Sequence, residues 1–205
     1  MRFPPSPHPS SRRLLLALVA VLPLAAAAHT GVDAHSHPGF LTGFFHPLTG
    51  LDHLAAMVSV GLWSALAARR AGPELLRGPL GFTGMLLAGA ILGLLGAQVP
   101  AVEPMIAASL LVTGLLVITR WHVAGFAAAL LVGLFALFHG LAHGYELADS
   151  TNAWSTLVGM LTATVLLHAT GLGLGWALRS ANRWIPRAAG AGVAMFGVTL
   201  LVQLA

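Results

Sequence analysis

"FFHPLTGLDHL", residues 44–54, sets two histidines, an aspartate and a proline into a run that is otherwise apolar. In a water-soluble helix such residues would mark the solvent-facing side. This chain has too little charge to make one. Of its 205 residues, 57% are hydrophobic and only 8% charged, and the mean hydropathy is +0.86. A soluble domain carries about a quarter charged residues, so the solvent this sequence is built for is lipid. His46, Asp52 and His53 therefore fall at membrane depth, where an ionisable group is costly and its default reading is functional.

Working outward, a helix needs about 20 mainly apolar residues to cross a bilayer. Six stretches qualify, at roughly 40–67, 79–99, 103–119, 122–145, 154–178 and 187–204. They are separated by "RRAGPELLRGP", "QVPAVEP", "TRWH", "ELADSTN" and "RSANRWIPR", all rich in turn residues or charge. The expected fold class is all-α: a polytopic membrane bundle of six transmembrane helices over 40–205, following a cleavable signal peptide. Residues 1–28 have the form of that signal, with Arg2, Arg12 and Arg13 ahead of an apolar core at 14–24 and small residues at 25–28. Cleavage there would leave 29–39 as a periplasmic arm, "HTGVDAHSH" and its neighbours, in which His29, Asp33, His35 and His37 suit the capture of dilute metal.

Orientation is written in the arginines. Outside the signal they occupy the connections after the first, third and fifth spans (Arg69, Arg70, Arg77; Arg120; Arg179, Arg183, Arg187), while the alternate connections hold only Glu103, Glu146 and Asp149. The positive-inside rule makes the arginine side cytoplasmic. The expected location is a bacterial cytoplasmic membrane, crossed several times, with both mature termini periplasmic. The sequence pI of 11.4 is no footprint of nucleic acid, because the arginines form no basic stripe. The absence of cysteine excludes thiolate metal sites, disulfides and cysteine nucleophiles. Small-xxx-small spacings at Gly39/Gly43, Gly89/Gly93 and Gly140/Gly144 suit close helix approach in lipid. "GLGLG" at 171–175 lies within a span with no strand before it, and reads as packing rather than nucleotide binding.

A second polar group, "FHGLAHGYE" at 138–146, closes the fourth span. His139 and His143 are four apart and share a helix face, which Glu146 continues. Pro47 and Gly50 should disturb the helix between His46 and His53, as broken helices do at transporter ion sites. Both motifs lie toward the outer end of their spans, so they can converge on one pocket open to that side. Imidazole with carboxylate suits a borderline divalent ion: nickel, cobalt, zinc or copper(II). An i, i+4 histidine pair is a common clamp on such ions. His168 lies about 14 residues, roughly 21 Å, into the fifth span, as a deeper ligand or a hydrogen-bonding strut. His122, beside Arg120 at a helix start, reads as a strut.

"HPLTGLDHLAAMVSVGLWSA" (46–65) together with "FHGLAHGYE" resembles the HupE/UreJ family of membrane accessory proteins of hydrogenase and urease, over nearly the whole mature chain. The resemblance implies a nickel or cobalt permease of the cytoplasmic membrane that supplies metal for metalloenzyme maturation. It also implies that His46, Asp52, His53, His139 and Glu146, with His143 in the same motif, serve transport. The implied partners are the transported ion, the lipid bilayer and nickel-enzyme maturation proteins. No enzyme is expected. An intramembrane metal hydrolase is the alternative from another class, but neither H-E-x-x-H nor a nucleophile motif appears, and no P-loop for ATP. A sensor or chaperone that binds metal without translocating it is the second alternative.

Overall fold

The computed structural model describes residues 39–124 and 126–205. The expected signal peptide, and the arm up to residue 38 with His29, Asp33, His35 and His37, lie outside these residues. Seven helices and no strand occur among the described residues: α1 (Phe40–Thr49), α2 (Leu51–Ala67), α3 (Glu74–Leu94), α4 (Val102–Thr119), α5 (Phe126–Leu147), α6 (Ala153–Ala177) and α7 (Trp184–Gln203). The all-α membrane architecture is thus as expected. Five helices, α3 to α7, are long and apolar enough to cross a bilayer, and α1 with α2 passes the same test as a pair. Only helices satisfy every backbone group without water, which is why these apolar runs take no other form.

The first span is not one straight helix. Its halves meet at a bend of 79°. Pro47 sits inside α1 without ending it; the break comes three residues later. There the Thr49 hydroxyl lies 3.1 Å from the carbonyls of both Phe45 and His46, competing with the backbone for the helix end. Gly50 then takes an extended conformation (φ −76°, ψ 110°), and α2 starts directly after it. Asp52 falls in the first turn of α2, where a carboxylate is stabilised by the positive end of the helix dipole. At the other extreme of regularity, α3 stops on Gly96 at φ 81°, with Gly96 N–H donating to Gly93 and Ala97 N–H to Leu92. This is the glycine-terminated turn expected at a helix end.

Glycine pairs set how closely the helices approach. In the α3–α5 pair a Cβ on Gly89 would fall on the Leu137 carbonyl, and one on Gly140 on that of Leu86. Backbone contact of this kind replaces the hydrophobic drive that is missing between helices in lipid. Beside this pair, α1 and α2 pack on α6, and α4 packs on α7. Helix α2 touches α3, α4, α6 and α7, and its residues from Val60 to Leu66 are all buried. Large apolar side chains face outward, as at Phe126 (72% exposed), Met195 (70%) and Val202 (70%), while His53, Ser109, Thr113, His139, His143, Thr164 and His168 are buried. Apolar outside and polar inside is the arrangement of a multi-pass membrane protein.

The three arginine-bearing connections gather at one end of the bundle. Trp63 Nε1–H donates to the Trp121 carbonyl at 2.9 Å, and an Arg179 guanidinium N–H donates to that of Ala68 at 2.6 Å. The His122 ring bonds to the Ala67 carbonyl through Nδ1 at 3.0 Å, the strut its sequence position suggests.

Candidate metal centre

The bend at Gly50 decides the site. It turns the last turn of α1 back over the first turn of α2, so the rings of His46 and His53 meet edge-on with centroids 5.3 Å apart. From α5, His143 enters between them, with ring centroids 4.9 Å from His46 and 4.6 Å from His53. One donor atom from each of His46, His53 and His143 lies within 4.8 Å of the other two. The shortest approach is 2.8 Å, between the Nε2 atoms of His53 and His143. The two polar motifs thus do meet, although their histidines are 90 residues apart.

A carboxylate fixes which nitrogen of His53 is free. An ionised Asp52 can only accept, so His53 Nδ1–H donates to Asp52 Oδ1 at 2.8 Å, and Nε2 of His53 is left with its lone pair. Nδ1 of His143 lies 3.6 Å from Glu146 Oε2, near enough for charge attraction but beyond hydrogen-bond reach. With Nε2 of His53 unprotonated, the 2.8 Å contact between the two Nε2 atoms is a hydrogen bond donated by His143 in the metal-free protein. A cation bound by both nitrogens would take the place of that shared proton. A histidine whose far nitrogen is held by a carboxylate is the usual form of an imidazole metal ligand. The donor set therefore fits a divalent transition ion.

The i, i+4 pair on α5 is divided. His143 joins the three-histidine group, whereas His139 does not. His139 is fully buried; its Nε2 lies 3.0 Å from Ser109 Oγ on α4, and its ring stands edge-on to His53 at 5.3 Å. His168 also stays outside the group. It is 2% exposed, neither ring nitrogen has a hydrogen-bond partner among the described residues, and its ring packs on Phe82 at 5.1 Å. Phe82, on α3, touches the ring of His139 as well, at 5.7 Å. Two neighbours of the site are thus absent from the motifs, Ser109 and Phe82. Ser109 carries a signal in the sequence, as a hydroxyl in the middle of an apolar span; Phe82 carries none, since phenylalanine is ordinary in lipid.

A family model described as "HupE / UreJ protein" matches residues 16–200. Among curated proteins the chain is similar to "Protein HupE" of Rhizobium leguminosarum bv. viciae, with 41% identity over 186 residues, 90% of this chain and 95% of that one. No solved structure matches the chain. This chain belongs to the HupE/UreJ family, membrane accessory proteins associated with nickel and cobalt uptake for hydrogenase and urease rather than enzymes.

Proposed function

We propose that this protein is a permease for a divalent transition-metal ion, nickel before cobalt, in a bacterial cytoplasmic membrane, and that it feeds metalloenzyme maturation. One observation carries this reading: the Nε2 atoms of His53 and His143, 2.8 Å apart, with a donor of His46 in the same group and Asp52 on the far side of His53. Imidazoles with carboxylates nearby suit a borderline divalent ion, and the family's association with nickel and cobalt selects those two among such ions.

In this reading the arginine-bearing end faces the cytoplasm and the histidine centre opens toward the periplasm, on the side of both mature termini. Ion captured there, with the arm of His29, Asp33, His35 and His37 collecting it, exchanges water for the imidazoles of His46, His53 and His143. Asp52 holds His53 in the binding tautomer, and the negative charge of Glu146, 3.6 Å from Nδ1 of His143, favours that form of His143 once an ion occupies Nε2. From there the ion moves inward past His139 and Phe82 to His168, which lies past the middle of α6 toward its arginine-bearing end. The membrane potential is a sufficient driving force, at about 2.3 kcal/mol per elementary charge per 100 mV.

Proteoliposomes carrying the purified protein test this. With a negative-inside potential, radiolabelled nickel should enter, cobalt more slowly, and zinc and copper(II) least. Tight binding without entry of any of the four would replace the permease by a sensor or chaperone.

A further inference from the structure

His139 is the one histidine of the two motifs whose tautomer is set by a hydroxyl. Ser109 Oγ has a single proton, and it donates that proton to the Ile106 carbonyl at 2.6 Å. Toward Nε2 of His139, at 3.0 Å, the hydroxyl can therefore only accept. With the hydroxyl proton on the Ile106 carbonyl, Nε2 of His139 carries the ring proton and Nδ1 keeps its lone pair, an assignment made from these two contacts. That Nδ1 is buried without a partner among the described residues. A buried acceptor is rarely left so unless something else uses it. His53 shows the opposite choice, with Nδ1 protonated by the demand of Asp52 and Nε2 free.

The position of His139 says what would use its lone pair. It stands outside the three-histidine group, yet its ring touches that of His53 at 5.3 Å. It also touches Phe82 at 5.7 Å, which in turn touches His168 at 5.1 Å. Ring contacts therefore run from His53 through His139 and Phe82 to His168.

We propose that Ser109 is a positioning residue: by holding the proton on Nε2 of His139, it keeps Nδ1 open as the receiving ligand for a divalent cation leaving the His46–His53–His143 centre. This rests on the reading of that centre as a metal site. Ser109 is 1% exposed, so Ser109→Ala removes one oxygen from a packed position and adds no bulk.

Three measurements on full-length protein decide it, with nickel(II) as the probe. Nitrogen-15 NMR of histidine-labelled, metal-free protein should show His139 in the Nε2–H form, and a shifted or mixed tautomer in Ser109→Ala. Nickel titration should give the same affinity for the first ion in both proteins. Nickel flux into proteoliposomes should fall about 10- to 100-fold in the variant, the range seen when the partner of a ligating histidine is removed. Unchanged flux, or an Nδ1–H tautomer in the wild type, overturns the proposal. Loss of first-ion binding together with flux overturns it too, because Ser109 would then belong to the entry centre. If the wild type binds no nickel at all, the parent reading fails and takes this one with it.

Discussion

The Nε2 atoms of His53, on α2, and His143, on α5, lie 2.8 Å apart and mark the point where two separate membrane segments bring their imidazoles together. Nothing local to either helix produces that contact. It needs the 79° bend between α1 and α2, and it needs α5 held against the bundle by its glycine contacts with α3. The site is thus a property of the packing.

Asp52 acts on the centre through His53. Asp52→Asn removes the charge that makes Nδ1 the preferred proton site on His53, and the ring becomes free to present a protonated Nε2 to the ion. Nickel affinity measured by titration should fall about 10- to 100-fold, with the helical content of the protein unchanged. Wild-type affinity in this variant would mean that the carboxylate has no hold on the tautomer.

Gly50 matters for space. A Cβ there would stand 3.2 Å from both Asp52 Oδ1 and His53 Nδ1, tight enough to push the pair apart. Gly50→Ala should leave thermal stability nearly intact, because Gly50 lies between helices and its φ of −76° is one that alanine adopts. Nickel affinity should nevertheless drop, and a titration of the purified variant reads that directly.

Gly140 matters for the scaffold. Gly140→Val would drive a branched side chain into the Leu86 backbone, and overpacking of this kind costs about 1–3 kcal/mol or more. The melting temperature in detergent should fall, and nickel binding should fall with it because α5 carries His143. Gly192→Ala is the matched control: a Cβ there meets nothing within 4 Å, so both stability and binding should hold.

Most of the fold was legible because lipid leaves the backbone few choices. The apolar runs and the turn chemistry between them located six spans, and the helices α3 to α7 fall on five of these. The break was legible as lying between His46 and His53, with Pro47 and Gly50 both marking it. Which of the two acts was not: α1 passes through Pro47, and the turn comes at Gly50, where Thr49 and an extended glycine act together. The site was legible as a set of residues, because ionisable groups stand out in an apolar chain. Its internal division was not. Spacing places His139 and His143 on one face, but a helix face extends over several ångströms, and only the neighbours from α2 and α4 decide that Nε2 of His143 meets Nε2 of His53 while Nε2 of His139 meets the Ser109 hydroxyl. Such contacts between distant segments leave no trace in local periodicity.

The centre itself is tested most directly by X-ray absorption at the nickel edge, on purified protein loaded with one nickel ion. Imidazole nitrogens are expected at about 2.0–2.1 Å, with multiple-scattering features from several rings, and loss of those rings together with the bound nickel in both His53→Ala and His143→Ala. A nickel ion that keeps the same spectrum and occupancy in His143→Ala would show that the two segments do not share an ion.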